Sequence, residues 1–348
     1  MSNPPNITRP DPKIPLAPSP LPPPGPAASG AEIAAQLMTL SRSNISRLKL
    51  IKKVRLQGDL WEPEGIVRLA HSSAAEEEER FWVSAGEYTV PTRKYPDGEI
   101  VDGTDRSAGA GFAHFVVFDG EGTRLGDWVV SEEGDLEYHN GGLDYDGTHI
   151  WATLSQYRPN TTGTVVKIDP AELRMEKVFK VKDHQGGIVH DVETDSLSTL
   201  NWGGRKARRW NLRSASAVND GREQRPLGDV REDGAHFDSP AAEIENPSHW
   251  IDYQDCKSLG DVGSRPVMLC SGIATLAPGV DVGGLAIVDV ETMVPIWEVP
   301  FMKRTEEGKR VLMTKNPMDV ALVGGRVRLY FSPEEGSSTL YVYELEES

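Results

Sequence analysis

Side chains with the chemistry of an active site recur in this 348-residue sequence, near the starts of several similar segments. Four of the eight histidines lie in these segments. Histidine is the side chain that most readily gains and loses a proton near neutral pH. We therefore predict acid–base chemistry by residues from these segments. The catalytic candidates are His139, His184, His249 and Asp252.

Other polar and aromatic residues of the chain are suited to hold a small molecule. Arginine and tyrosine can donate hydrogen bonds to an oxyanion or enolate oxygen, and aromatic rings can stack on an unsaturated ligand. The predicted substrate-binding residues are Glu64, Arg93, Tyr95, Tyr157, Arg158, His190, Trp202, Trp250, Gln254 and Asn316. The alternative is that such polar residues only hydrogen-bond exposed strand edges around a water-filled channel.

Several standard catalytic motifs do not occur in the sequence, namely the G-x-S-x-G nucleophile elbow, the HExxH metal motif and the P-loop. The segment 144–147 resembles the start of a calcium loop but lacks the remaining EF-hand spacing, so we interpret it as a turn. We expect no metal or other cofactor. A calcium site in the channel is a competing hypothesis, and its ligands would be Glu64, Asn140 and Asp319.

The elements that must position these residues are short strands. In residues 139–170, short alternating runs are separated by turns at Asp146-Gly147 and Asp169-Pro170. Alternation between turn residues predicts antiparallel strands joined as hairpins. With a fourth strand at 178–181, one such unit has about the length of a propeller blade.

Similar units begin near residues 62, 138, 184, 246 and 316, which predicts an all-β fold, a β-propeller of five four-stranded blades. Six blades are possible if the longest spacings hide another unit. The last unit is one strand short, whereas Leu48–Leu56 has the pattern of a strand without a blade of its own. We expect this N-terminal strand to complete the last blade and close the ring. The blade-opening residues would then meet around a central channel.

We divide the chain into three regions. Residues 1–28 contain 11 of the 25 prolines, which predicts a disordered tail. Residues 29–46 are expected to contain a short helix, because Ser29 and Glu32 have capping-box spacing. Residues 47–348 form one propeller domain in this interpretation. The long insertion 88–111 is expected to form a lid or pocket wall.

The charge and the cysteines indicate the protein's partners and compartment. A net charge of −16 argues against nucleic acid or an anionic membrane as a partner. There is no apolar run of membrane-spanning length and no secretory signal pattern, so we expect a cytoplasmic protein that binds small molecules. Cys256 and Cys270 lie symmetrically about a predicted turn. A disulfide is possible there, but for a cytosolic chain we expect two free thiols.

A set of motifs in fixed order resembles a little-characterised family of bacterial and fungal propeller proteins, many of them secreted in bacteria. The motifs are VPTRKYP, YHNGGLDYDG, SQYRPNTTGTV, DHQGGIVHD, NPSHWIDYQDC and GGLAIVD, and the resemblance extends over residues 48–347. Within that family, the chain is similar to fungal members without a signal peptide, the hetero-Diels-Alderases of tropolonic sesquiterpene biosynthesis.

The resemblance implies a cofactor-independent pericyclase of fungal meroterpenoid secondary metabolism. Such an enzyme removes water from a hydroxymethyl tropolone and adds the resulting o-quinone methide to a humulene-type polyene. A channel histidine or aspartate would transfer the proton, while arginine and tyrosine would hold the tropolone oxygens. Two other hypotheses stay open: a calcium-dependent, lactonase-like hydrolase, and a non-catalytic scaffold that would expose an apolar patch instead of a deep pocket.

Overall fold

The computed structural model describes residues 6–71, 75–212, 238–248, 250–306 and 310–346. The chain begins with strand β1 (Ile7–Thr8), helices α1 (Gly25–Ala28) and α2 (Gly30–Leu37), and strand β2 (Leu48–Arg55). Nearly all the described residues that follow belong to strands and their connections. The strands form five antiparallel sheets, which we number as blades 1 to 5.

Blades 1 and 2 follow the N-terminal elements. Blade 1 consists of β3 (Glu62–Leu69), β4 (Arg80–Val90), β5 (Ala110–Asp119) and β6 (Arg124–Val129), with β1 paired to its outer edge. Blade 2 consists of β7 (His139–Asn140), β8 (Asp144–Tyr145), β9 (Ile150–Ser155), β10 (Gly163–Asp169) and β11 (Arg174–Val181).

Blades 3, 4 and 5 complete the ring. Blade 3 consists of β12 (Gly187–Asp191), β13 (Ser196–Leu200), β14 (Lys206–Asn211) and β15 (Ala242–Glu245). Blade 4 consists of β16 (Asp252–Val262), β17 (Arg265–Ala277), β18 (Val280–Asp289) and β19 (Pro295–Pro300). Blade 5 consists of β20 (Met318–Val323), β21 (Arg326–Phe331), β22 (Thr339–Leu345) and β2.

The five-bladed propeller predicted from the repeats is therefore confirmed, and so is its closure. Strand β2 pairs antiparallel with β22, from Leu48 opposite Leu345 to Arg55 opposite Thr339. Each blade packs between two others, so both faces of its central strands are buried. This explains runs such as 150–155 and 196–200, in which every residue is buried.

The N-terminal segment corrects one expectation, because residues 6–28 pack against the propeller instead of forming a disordered tail. Leu16 is 3% exposed, and its carbonyl accepts a hydrogen bond from the indole of Trp82 at 2.8 Å. The Tyr145 hydroxyl donates to the carbonyl of Pro22 at 2.7 Å. Proline-rich chain lacks N–H donors, but its carbonyls remain available, and blades 1 and 2 use them.

A buried ionic network joins the inner strands of the blades. Its members are Asp144, Asp255, Lys257 and Asp319, which we call the axial cluster. The Lys257 ammonium is fully buried and donates to Asp255 at 2.7 Å. The second Asp255 oxygen accepts the backbone N–H groups of Ile66 and Met318, from blades 1 and 5. One ion pair and several backbone hydrogen bonds thus join the inner strands at this level.

Two further carboxylates of the axial cluster bridge neighbouring blades. Asp319 accepts the N–H of Arg68 at 2.6 Å, and Asp144 accepts that of His190 at 2.8 Å. Burial raises the pKa of Asp144 to about 7 and that of Asp319 to about 6, although Lys257 opposes both shifts. Burial also raises the pKa of Asp255.

The two cysteines form a disulfide, so the expectation of free thiols is wrong for this structure. Cys256 on β16 lies directly opposite Cys270 on β17, with their Cα atoms 4.1 Å apart. The register of the hairpin brings the two sulfur atoms together. The symmetric spacing of the cysteines about the turn suggests this register but does not determine it. No helix in the described ranges is long and apolar enough to cross a bilayer.

Candidate functional site

One end of the ring contains a cavity of about 140 Å³ between the inner strands, which we call the mouth cavity. The start of β3, strand β7, the connections before β12 and after β13, and the start of β16 all contribute to it. Its lining residues are Glu62, Glu64, His139, Tyr157, His184, Gly186, Asn201, Trp202, Gly203, Asp252, Tyr253 and Gln254. The ring closure thus collects side chains from four blades.

Two glutamates and a histidine lie together on the wall of the mouth cavity. Glu62 and Glu64 lie near the start of β3, where a β-bulge between Pro63 and Gly65 interrupts the regular alternation, and both line the mouth cavity. One oxygen of each carboxylate and one ring nitrogen of His139 lie within 4.8 Å of one another. We call these three residues the Glu–Glu–His cluster.

The carboxylates of this cluster are poorly solvated. Burial raises the pKa of Glu62, and it raises the pKa of Glu64 further because Glu62 adds a like charge. Glu64 is only 9% exposed, and no hydrogen bond or ion pair from a described residue reaches its carboxylate. Glu62 accepts a hydrogen bond from the hydroxyl of Tyr157 at 3.3 Å.

His139 is a neutral imidazole in this environment. Burial, and then the nearby His184, lowers the pKa of its ring well below the usual value. Its Nδ1 lies 2.8 Å from the hydroxyl of Tyr88, which fixes the orientation of the ring. Burial and the charge of Glu62 raise the pKa of Tyr88, so that this phenol keeps its proton.

Aromatic rings form a continuous row beside the cluster. Tyr88 and Tyr157 stack with centroids 4.8 Å apart and an interplanar angle of 6°. Tyr157 stacks on His139 at 4.3 Å, and His139 on His184 at 5.3 Å. Trp202 ends the row, 4.8 Å from His184. Such a row offers flat faces to a planar, unsaturated ligand.

His184 presents an unprotonated nitrogen to the site. Its Nδ1 lies 2.8 Å from the carbonyl oxygen of Gln156, which can only accept, so Nδ1 carries the hydrogen. Burial lowers the pKa of the ring to about 4, so Nε2 keeps its lone pair at neutral pH. A Cβ atom on Gly186 would lie only 3.3 Å from Nε2, and Gly186 lines the mouth cavity. Glycine there leaves this nitrogen accessible.

The long connection between β4 and β5 reaches the aromatic row through one side chain, but none of its residues lines the mouth cavity, so its role as a lid or pocket wall stays a prediction. The guanidinium of Arg106 lies over the Trp202 ring, 4.6 Å from its centroid. Asn160 ties the connection to blade 2 through a hydrogen bond to the carbonyl of Gly103 at 3.1 Å. Arg106, whose guanidinium is also paired with Asp105, thus lies beside the aromatic row.

A second cavity, of about 520 Å³, adjoins the mouth cavity, and we call it the outer cavity. The two cavities share Glu62 and Tyr157 as a common wall. The rest of the outer cavity is lined by Asp59, Trp61, Tyr88, Glu335 and Gly336. A ligand in one cavity would therefore be close to a ligand in the other.

The structure brings half of the predicted site residues together, and their roles stay predictions. Those that line the mouth cavity are Glu64, His139, Tyr157, His184, Trp202, Asp252 and Gln254. Those that do not line it are Arg93, Tyr95, Arg158, His190, Trp250 and Asn316. The remaining candidate, His249, lies outside the described residues.

Local partners explain several of the misplaced predictions. His190 points to Asp146 and Asp195, at 2.9 and 3.3 Å, away from the mouth cavity. The Trp250 indole donates to Glu298, and Arg158 hydrogen-bonds the side chain of its neighbour Gln156. The exposed Arg93 and the half-buried Tyr95 belong to the β4–β5 connection, but only Arg106 from that connection reaches the aromatic row.

The three residues proposed as calcium ligands have different partners. Asn140 donates to the carbonyl of His114 at 2.9 Å, and Asp319 belongs to the axial cluster. Glu64 instead has Glu62 and His139 as neighbours.

Glu62 and Tyr88 contribute to the site but were not predicted from the sequence. The alternation Glu62-x-Glu64 at the start of an inner strand was a signal for Glu62, whereas Tyr88 becomes visible only through the folding of the blade.

Comparisons with known proteins identify a family. Residues 98–346 match the model of a family described as a family of unknown function (DUF6454). No curated protein matches the sequence. The propeller is similar to a luciferin-regenerating enzyme (9% identity, 85% of this chain and 95% of that chain, TM-score 0.40).

Two further solved structures have the same low level of similarity. A hypothetical protein from Leishmania major has 8% identity over 91% of this chain and 94% of its own, with a TM-score of 0.45. The calcium-binding protein regucalcin from Agrobacterium tumefaciens strain C58 has 10% identity over 86% and 96%, with a TM-score of 0.40. Such matches concern the fold and do not bear on activity.

Proposed function

The chain belongs to the family of unknown function DUF6454, and we propose that it is an enzyme that transforms a flat, oxygen-bearing small molecule in the mouth cavity. The observation that carries the proposal is the accessible Nε2 of His184 within a row of aromatic rings. The specific reaction proposed is loss of water from a hydroxymethyl tropolone, followed by hetero-Diels-Alder addition to a humulene-type polyene. The motif resemblance supports this choice of substrates, since the family description assigns no activity.

His184 would move the proton in the dehydration. Its Nε2 takes the proton of the ring hydroxyl, electrons flow through the ring, and the C–O bond to the neighbouring hydroxymethyl group breaks. The leaving hydroxyl receives the same proton from the imidazolium, so the products are water and the o-quinone methide. Arg106 beside Trp202 would attract the ring oxygens as negative charge develops on them.

The two cavities give each reactant a place. The mouth cavity, at about 140 Å³, suits a single ring, and the adjoining outer cavity, at about 520 Å³, has room for a polyene. Because Glu62 and Tyr157 line both cavities, the two reactants would bind side by side. Proximity and orientation alone can accelerate such an addition by many orders of magnitude.

The test is formation of the pyran adduct from both substrates by the wild-type protein and by His184→Asn. Asparagine can keep the hydrogen bond to the carbonyl of Gln156 but removes the Nε2 lone pair. We expect the variant to lose roughly 10²-fold or more of the rate, while the matched variant His71→Asn, remote from the site, keeps it. Equal rates for all three proteins would contradict the assignment of His184.

The Glu–Glu–His cluster favours a second candidate function, metal-assisted hydrolysis of a cyclic ester. Three side-chain ligands and an open coordination position can lower the pKa of a bound water enough to make it a nucleophile. The test is a panel of lactones with chelator-treated protein before and after addition of a divalent metal. Hydrolysis that appears only with metal supports this candidate, and no hydrolysis in either form removes it.

We also propose a cytoplasmic location and small molecules as the partners, since the formal charge of −16 disfavours nucleic acid. The disulfide is unusual for that compartment. Mass spectrometry of alkylated protein from the native host would decide: a protected Cys256–Cys270 pair there indicates an oxidising compartment instead.

A further inference from the structure

We infer that Glu62, Glu64 and His139 form a binding site for a divalent first-row transition metal, and that the metal holds a planar ligand with two adjacent oxygen atoms. This departs from the expectation that no metal is needed. It deepens the proposed function, on which the identity of the ligand rests. The metal site itself depends only on the geometry of the three side chains.

The distances fit a metal that draws its ligands together. On a common zinc ion, ligand atoms at about 2.0–2.2 Å from the metal are roughly 3–4 Å apart from each other. The cluster atoms already lie within 4.8 Å of one another, so displacements of about 1 Å close the site. The start of β3 supplies the two glutamates, and β7 supplies the histidine.

The surroundings of Glu64 leave the negative charge of its carboxylate without a local partner. Glu64 is 9% exposed, and within the described residues its carboxylate has neither a hydrogen bond nor an ion pair. Lys315 contributes a favourable charge at longer range, but its ammonium pairs with Glu335. A buried carboxylate in that position is costly unless a cation or a proton compensates it.

The other atoms of the cluster have the supporting contacts that metal ligands need. The Tyr88 hydroxyl lies 2.8 Å from Nδ1 of His139, so Nε2 can serve as the metal ligand in the tautomer whose Nδ1–H donates to Tyr88. Tyr157 hydrogen-bonds one oxygen of Glu62 at 3.3 Å. One imidazole with two carboxylates suits Zn²⁺, Mn²⁺ or Fe²⁺ better than Ca²⁺, which prefers oxygen ligands alone.

Three protein ligands leave coordination positions open toward the mouth cavity. A ring with adjacent keto and hydroxyl oxygens could occupy two of them and lie against the aromatic row. Tyr157 and Trp202, whose rings lie 5.6 Å apart, both line the mouth cavity and would contact such a ring. The chemistry of the site therefore selects chelating, planar oxygen ligands, of which tropolone is the simplest probe.

The first experiment measures metal binding without any organic ligand. Protein treated with EDTA and dialysed is titrated with ZnCl₂ or MnCl₂ by calorimetry. We expect one ion per chain, weaker binding of CaCl₂, and at least a roughly tenfold loss of affinity in Glu64→Gln. The matched variant Glu172→Gln, at an exposed turn of blade 2, should bind like the wild type.

Thermal unfolding distinguishes the loss of metal binding from misfolding of a variant. Zinc should raise the melting temperature of the wild type and of Glu172→Gln but not that of folded Glu64→Gln or Glu62→Gln. No saturable binding by the wild type at millimolar metal, or equal binding by the Glu64 and Glu172 variants, would overturn the metal site.

The second experiment titrates tropolone into metal-free and metal-loaded protein and follows its absorbance. We expect at least about tenfold tighter binding to the loaded form, and equal affinities would overturn the ligand assignment. The outcomes separate the two proposals. Metal binding without any adduct rejects the proposed reaction and keeps the site, whereas adduct formation without metal binding rejects the site and keeps the reaction.

Discussion

Replacing Lys257 by methionine tests whether the axial cluster holds the blades together. Methionine keeps most of the buried aliphatic volume but removes the ammonium group that donates to Asp255 at 2.7 Å. Three buried carboxylates, those of Asp144, Asp255 and Asp319, then share the axis without their cation. Removing one partner of a buried ion pair costs roughly 3–5 kcal/mol.

That cost translates into a measurable change of melting temperature. Unfolding entropy of about 2.1 cal/mol/K per residue gives roughly 0.7 kcal/mol/K for a chain of 348 residues. We therefore expect Lys257→Met to melt about 4–7 °C below the wild type at pH 8 by calorimetry. The matched variant Lys49→Met removes an exposed lysine and should change the melting temperature by less than about 1 °C.

The pH dependence separates charge from packing. The folded-state pKa values of Asp144 and Asp319 are raised to about 7 and about 6, so the folded protein binds more protons than the unfolded chain between these values and about pH 4. Stability therefore falls as pH rises through this range. At pH 5 the carboxyls of Asp144 and Asp319 are largely neutral and need no cation, so the penalty of Lys257→Met should shrink.

An equal loss of stability at pH 5 and pH 8 would refute this reasoning, because lost packing does not depend on pH. A Lys257→Met protein that melts at the same temperature as the wild type at pH 8 would refute it as well. The double variant Lys257→Met/Asp255→Asn should recover part of the loss, since it removes one of the uncompensated charges.

Three further predictions concern other parts of the structure. Leu16→Ala should destabilise the protein by about 2–5 kcal/mol in denaturant titrations, because Leu16 packs in the core of blades 1 and 2, and a change below about 0.5 kcal/mol would show that the N-terminal segment does not contribute. Replacing both Cys256 and Cys270 by alanine should cost about 3 kcal/mol for the loop of 14 residues that the disulfide closes; an unchanged denaturation midpoint in non-reducing buffer would contradict the bond. His190 is buried, which lowers its pKa, but Asp146 and Asp195 raise it on balance, so its contribution to stability is fully present below about pH 6.5 and is lost as pH rises through the folded-state pKa. The variant His190→Gln should remove that part of the pH profile, and an identical profile would show that the histidine does not titrate in this range.

The fold could be predicted from the sequence because its periodicity is local. Turn residues such as Asp146-Gly147 and Asp169-Pro170 mark the ends of strands, and the spacing of the units gives the five blades. Even the ring closure followed from an unpaired strand at one end of the chain and a missing strand at the other. These features depend on neighbouring residues, which the sequence shows directly.

The site was predictable only in part because its contacts join distant residues. The inner-strand positions of His139, His184 and Glu64 follow from the repeat, and all three line the mouth cavity. The partners of His190 and the burial of Lys257 depend on how the blades pack, which no local pattern specifies. The axial cluster was missed for the same reason.

The most direct test of the central claim is the enantiomeric ratio of the pyran adduct, measured by chiral chromatography. The protein is incubated with a hydroxymethyl tropolone and a humulene-type polyene, beside a sample without protein and a sample with His184→Asn. If the mouth and outer cavities hold the two reactants, the wild type should give one enantiomer in large excess over the racemic background. A racemic product at the background rate would contradict the claim that this site catalyses the reaction.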